Sequence, residues 1–216
     1  MRVIAGALGG RSLVAPKGHA TRPTSDRVRE ALFSMLGDVT GTSVLDLYSG
    51  TGALGIEALS RGASRAVFVE NARPALEALR RNLETLGLRA SSLVVTSPVL
   101  RAVRGLSARG PFDLVLVDPP YADLAEAGQA IELLVDQALC SDTARIVLEH
   151  ASRDAAPELH GLTCQATRRY GDTSLSFYAF AASSEKVPSE KVPSEKVPTT
   201  FEEQAREDVS SGDSDE

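Results

Sequence analysis

Five short runs of branched apolar residues, separated by stretches that can each hold a helix, constrain this chain more than any other feature. They are Ser43-Val44-Leu45-Asp46-Leu47-Tyr48, Arg65-Ala66-Val67-Phe68-Val69-Glu70, Ser92-Leu93-Val94-Val95, Phe112-Asp113-Leu114-Val115-Leu116-Val117-Asp118 and Ala144-Arg145-Ile146-Val147-Leu148-Glu149. Runs of that length and composition suit buried strands. Residues 53–61 and 73–86 carry apolar residues at helical spacing, the second with Leu76, Leu79, Leu83 and Leu86 on one stripe and Gly87 as its stop. A further helix is predicted over 124–139, burying Ile131, Leu134, Val135 and Leu139. Strand and helix in alternation predict an α/β fold, a parallel sheet wound right-handedly and covered on both faces. Two later runs, 163–170 and 173–180, meet at Gly171-Asp172 and suit a hairpin. Residues 1–20 are Gly-rich with strand candidates at 2–5 and 11–15, a small β extension. Ser25 or Thr24 then caps a helix carrying Val28, Leu32 and Met35.

The 216 residues suffice for one domain with a full core, and no apolar run is long enough to span a membrane. The first residues lack the apolar stretch of a signal peptide, so a cytoplasmic protein is expected. Cys140 and Cys164 are too far apart for a CxxC pair and are taken as two buried thiols, and His19, His150 and His160 have no metal-ligand spacing, so no metal is expected. A net charge of −6 disfavours nucleic-acid binding until it is localised. From Ser183 onward there are ten acids and four bases, leaving 19 of each in the body. That tail holds Ser-Glu-Lys-Val-Pro three times and is expected to be disordered. Bases are enriched near the start, where Arg2, Arg11, Lys17, Arg22, Arg27 and Arg29 face Asp26, Glu30 and Asp38.

Asp46-Leu47-Tyr48-Ser49-Gly50-Thr51-Gly52-Ala53-Leu54-Gly55 follows the first strand and opens a helix. Glycines there bring bare backbone to a ligand in the crevice at the strands' carboxyl ends. Gly50 to Gly55 satisfies GxGxxG, a pattern that also serves NAD and FAD, and Glu70 is placed to accept from ribose hydroxyls in either case. Asp46 tips the balance, since its carboxylate repels a pyrophosphate and attracts an ammonium. A cationic cofactor such as S-adenosyl-L-methionine is therefore favoured.

Asp118-Pro119-Pro120-Tyr121 ends the fourth strand. The prolines donate no hydrogen bonds and stiffen a turn whose carbonyls act as acceptors. An exocyclic amine on a base is a poor nucleophile because its lone pair is delocalised into the ring. Two acceptors, the Asp118 carboxylate and the Pro119 carbonyl, would hold both its hydrogens and favour a pyramidal nitrogen, while Tyr121 offers a stacking face. Transfer is then an in-line displacement promoted by orientation and electrostatics.

Together these motifs resemble a class I methyltransferase of the amino-methylating kind. The segment Arg22-Pro23-Thr24-Ser25-Asp26-Arg27-Val28-Arg29-Glu30, with 52–63 and Tyr170-Gly171-Asp172-Thr173, resembles the RsmD family over residues 1 to about 181. Those bacterial enzymes methylate N2 of a guanine in 16S ribosomal RNA. The resemblance implies a Rossmann-like, seven-stranded, mostly parallel sheet with an antiparallel last hairpin. It implies an RNA-facing extension over 1–40, a catalytic core over 41–182 and the tail over 183–216. It implies guanine 966 as target, within a small-subunit assembly particle, and a monomeric enzyme. It assigns catalysis to Asp118, Pro119, Pro120 and Tyr121, and cofactor binding to Asp46, Tyr48, Ser49, Gly50, Thr51, Gly52, Ala53, Leu54, Glu70, Asn71, Ser97 and Asp118. Arg22, Thr24, Arg27, Arg29 and Tyr121 become substrate contacts. One departure is Thr96-Ser97-Pro98, where the family usually has an acid near the adenine amine; Ser97 or backbone would take that role. The alternatives are an adenine-N6 DNA or glutamine-N5 protein methyltransferase, and a non-catalytic RNA-binding assembly factor.

Overall fold

The structure is a computed structural model that describes residues 1–16 and 25–181. Its elements run α1 (Asp26–Leu36), β1 (Ser43–Leu47), α2 (Ala53–Ser60), β2 (Arg65–Glu70), α3 (Arg73–Thr85), β3 (Ser92–Thr96), α4 (Val99–Arg104), β4 (Phe112–Val117), α5 (Leu124–Asp136), β5 (Cys140–Ala151), β6 (Leu162–Tyr170) and β7 (Thr173–Phe180). The strands form one seven-stranded sheet in the order β3-β2-β1-β4-β5-β7-β6. The first five are parallel, and β7 runs antiparallel to both β5 and β6. Strand order reverses between β1 and β4, and in open α/β sheets such a switch point is where ligands bind.

Both faces of the sheet are covered, which is why every residue of β1 is buried. On one face Val44, Phe68, Leu114, Leu116 and Val147 pack with α1, α2 and α3. On the other, Leu45, Leu47, Val115, Val117 and Leu148 pack with α4 and α5. The six-residue α4 has no sequence counterpart among the predicted helices, because so few residues cannot display a period. Strand β5 begins before the predicted 144–149 run; Cys140 pairs with Phe112 ahead of a register shift, so polar residues join the ladder early.

Helix α1 starts where expected, with Ser25 Oγ accepting from the Val28 amide at 3.2 Å. Its buried stripe is Val28, Leu32, Phe33 and Leu36, whereas Met35 is 40% exposed, a correction to the predicted face. Phe33 takes the core position because the stripe drifts by one residue along the 3.6-residue period. The N-terminal strands reduce to one bridge between Arg2 and Ser12, with Val3 and Leu13 buried beneath it. Cys140 is buried as expected, but Cys164 is exposed on β6, an edge strand with solvent along most of its length; both are free thiols. No described helix is long and apolar enough to cross a membrane. The repeat tail lies outside the described residues.

Candidate active site at the carboxyl rim of the sheet

Three register relations assemble the site. Leu47 is level with Val69 of β2 and with Val117 of β4, and Glu70 is level with Thr96 of β3. The residues that follow these strands therefore emerge side by side: Tyr48 to Ala53 after β1, Asn71 after β2, Ser97 after β3 and Asp118 to Tyr121 after β4. The Asp118 amide still reaches the Leu47 carbonyl, at 3.5 Å, so the two motifs sit against each other across the switch point.

The glycine loop divides its labour. Tyr48, Gly50 and Gly52 all have positive φ, at 57°, 56° and 81°, which turns the chain sharply from strand to helix. A Cβ on Gly52 would come within 2.4 Å of Leu79 Cδ1, and one on Gly55 within 2.4 Å of Phe68 Cε1, so these two glycines let α2 press onto the sheet and α3. Gly50 differs, because its nearest neighbour would be 3.9 Å away. Open space lies over the backbone there, as a ligand site requires. The Leu54 side chain is in the core, which leaves only its main chain to offer a ligand.

Asp46 is 1% exposed. Its Oδ2 accepts from the Gly55 amide at 2.9 Å, while its Oδ1 is buried with no hydrogen-bond partner. Burial pushes the carboxyl up to about 8 against the pull of the Gly55 amide, and the nearby Asp118 and Glu70 carboxylates add to the rise. The buried Ser49 Oγ likewise has no partner. A cation placed here would gain from all three carboxylates, and a pyrophosphate would be repelled. The donor set thus fits a cofactor carrying a sulfonium and an ammonium.

Glu70 does something the sequence does not reveal. Its Oε2 accepts from the Gly50 amide at 2.8 Å and its Oε1 from the Asn71 and Ala72 amides, both at 2.7 Å. The carboxylate clamps the glycine loop to the turn before α3, and its remaining lone pairs are what it could offer a ribose. Tyr48 donates to Glu126 Oε1 at 3.1 Å, tying the loop to α5, and burial with Glu126 raises its phenol. Ser97 is half-buried ahead of α4 and Asn71 is exposed.

In the proline turn Pro119 is buried and Pro120 exposed. Tyr121 is 38% exposed, with its hydroxyl 3.3 Å from Thr173 Oγ1 at the start of β7. An exposed ring whose far end is tethered is a preset platform for a flat ligand.

Of the predicted substrate contacts, Arg27 is exposed on the first turn of α1. Arg22 and Thr24 lie outside the described residues. Arg29 is corrected: it is fully buried, donates through Nη2 to the Arg2 carbonyl and to Asp26 Oδ1, and lies 3.8 Å from Glu57 Oε2. A guanidinium enclosed in this way braces the N-terminal segment and cannot meet RNA. Two supports were missed. Glu57 on α2 accepts from the Ile4 and Ala5 amides and from Arg61. Asn82 on α3 accepts from the Val14 amide and donates to the carbonyls of Val14 and Thr51, linking the extension to the glycine loop. Their trace in the sequence is a polar residue at a helix position whose neighbours by spacing are core leucines and alanines.

Residues 1–179 match the family described as Conserved hypothetical protein 95. The chain is similar to ribosomal RNA small subunit methyltransferase D of Escherichia coli K12, with 39% identity over 160 residues, 73% of this chain and 78% of that protein. Among solved structures it is similar to yhhF from Escherichia coli, at TM-score 0.72 and 33% identity, covering 84% of this chain and 98% of the other. A hypothetical protein of Thermus thermophilus superposes at TM-score 0.70 with 30% identity, covering 82% of this chain and 98% of the other.

Proposed function

This chain belongs to the Conserved hypothetical protein 95 family, the RsmD family, and from that premise we propose that it methylates the N2 amine of a guanine in small-subunit ribosomal RNA. The observation that carries the proposal is the register of β1 against β4, which sets Asp46 and the glycine loop beside Asp118 to Tyr121. S-adenosyl-L-methionine, when bound, supplies a methyl group activated by its sulfonium.

The chain's own residues do the rest. Asp46, with Asp118 and Glu70 near it, would favour the cofactor's positive charge; Glu70 and Asn71 would hold its ribose, and Ser97 its adenine. The Asp118 carboxylate and the Pro119 carbonyl accept the two amine hydrogens, orient the nitrogen lone pair and hold it pyramidal. Tyr121 stacks on the base, an interaction of about 1–3 kcal/mol in single-stranded complexes. Holding both reactants in line supplies most of the rate. Arg27, exposed on α1, would meet a phosphate, and the particle carrying the RNA would be an assembling small subunit.

The test is label transfer from S-adenosyl-L-methionine to small-subunit RNA, with the product nucleoside identified by mass spectrometry. N2-methylguanine is expected, and N6-methyladenine or labelled protein would overturn the proposal. Asp118→Ala should lower kcat by about 100- to 1000-fold, the scale of removing one transition-state hydrogen-bond partner. Cofactor binding should survive at reduced affinity, since the cofactor loses one of three nearby carboxylates whereas the amine loses its own acceptor.

A further inference from the structure

One buried carboxylate at the rim has no part in the chemistry above. Glu149 is 7% exposed near the end of β5. Strands β4 and β5 pair Leu116 with Val147 and Val117 with Leu148, so one more step along both puts Asp118 level with Glu149. Side chains alternate along a strand. Leu116 and Val147 belong to the core cluster under α1, so Asp118 and Glu149 lie on that same face. The antiparallel partner of Glu149 is Leu175, in the same cluster, and two residues on, Ala151 pairs with Thr173, which tethers Tyr121. Glu149 thus lies between the amine-gripping turn and the anchor of the stacking ring, about one strand spacing (~4.8 Å) from Asp118.

Resting on the assignment of this site to a guanine amine, we infer that Glu149 is a specificity-determining residue that accepts the N1–H of the target guanine. On guanine the N1 hydrogen is the donor beside the N2 amine. On adenine, and on 2-aminopurine, the ring nitrogen beside the amine carries a lone pair. A carboxylate at that point accepts from the first and repels the others, and a site built to bond a donor rejects a base that lacks it. Glu149 already has an interaction within the fold; its two oxygens offer about four acceptor positions, so the base shares the carboxylate with that neighbour. Asp118 and the Pro119 carbonyl are taken up by the N2 hydrogens, which leaves the next donor on the edge to the next strand.

The experiment uses RNA whose target guanine is replaced by 2-aminopurine, which keeps the amine and loses N1–H together with the O6 carbonyl, so the change of preference on altering Glu149, not the preference itself, is the readout. The full chain should prefer guanine by roughly 10- to 100-fold in kcat/KM. Glu149→Gln can donate to a ring lone pair, so it should slow guanine methylation, speed 2-aminopurine methylation and narrow the preference at least tenfold. Glu149→Asp keeps the carboxylate and should retain the preference at a lower rate. Both substrates are assayed on one preparation, so any misfolded fraction cancels in the ratio. An unchanged ratio in Glu149→Gln, or equal losses on both substrates, overturns the assignment and makes the residue structural. Absence of N2-methylguanine with the unaltered chain overturns the functional proposal instead, and the assignment falls with it.

Discussion

Two buried charge clusters flank helix α2, and they are built on opposite plans. At the rim, the Asp118 and Glu70 carboxylates help raise the Asp46 carboxyl, and among the described residues Asp46 Oδ1 and Ser49 Oγ lack a hydrogen bond. At the other cluster Glu57, fully buried, receives the Ile4 amide at 2.7 Å, the Ala5 amide at 3.0 Å and Arg61 Nε at 2.7 Å, with Arg29 close by. Burial depresses the Arg29 guanidinium, and the Glu57 and Asp26 carboxylates counter it. Nε and Nη1 of Arg29 have no hydrogen bond, yet the cluster's charge is matched from within the chain. A matched cluster holds structure together; buried polar atoms left without a hydrogen bond, such as Asp46 Oδ1 and Ser49 Oγ, are where a ligand can add partners.

The contrast breaks most easily at the matched cluster. Glu57→Gln leaves the buried Arg29 guanidinium with only the part-exposed Asp26 as counter-charge, and loss of one partner of a buried pair costs up to about 3–5 kcal/mol. Urea unfolding should show that loss, and a cost under about 1 kcal/mol would mean that Glu57 is not the centre of the cluster. Asp46→Asn should behave in the opposite way. The amide oxygen still accepts from Gly55, and the side chain stays neutral as the protonated carboxyl does, so stability without cofactor should hold near neutral pH. Cofactor affinity should fall about 10- to 100-fold, the range for a hydrogen bond to a charged group. Calorimetric titration measures it. Equal stability losses in the two variants would erase the distinction.

The two clusters also differ in how far the sequence discloses them. Each rim motif is local in sequence, because a strand end, a glycine turn and a helix start must follow one another within a few positions, and parallel strand pairing then brings the strand ends together. Asp46, Gly50 and Asp118 could therefore be placed from spacing and chemistry alone. The Glu57 cluster joins residues more than 50 positions apart, and no local pattern encodes which buried carboxylate meets which backbone amide. Arg29 shows the cost: inside an arginine-rich segment it reads as one more RNA contact, and only packing reveals that α1 turns it inward. Met35 and Phe33 teach the same lesson on a smaller scale, as do the clamp made by Glu70 and the short α4, which the sheet dictates and periodicity cannot.

The clusters also part by pH. The Asp46 carboxyl moves from an ordinary value of 3.8 to about 8 in the folded chain, mainly through burial. The folded state therefore binds this proton more tightly than the unfolded state does. Its stabilising contribution is complete below 3.8 and is lost as pH rises toward 8, with a slope of at most about 1.4 kcal/mol per pH unit for one proton. Unfolding of the cofactor-free protein across that window should show this slope on top of the other carboxylates, and Asp46→Asn should remove it. A cation binding at the rim favours the ionised form. Cofactor affinity should accordingly strengthen as pH rises toward 8, and binding below that pH should release a proton. Titration calorimetry at pH 6.5 (about 1.5 units below the shifted value), in two buffers of different ionisation enthalpy, counts that proton. A count of zero in the unaltered chain would mean that Asp46 keeps one protonation state with and without cofactor, and that the cofactor's positive charge is met by other groups at the rim.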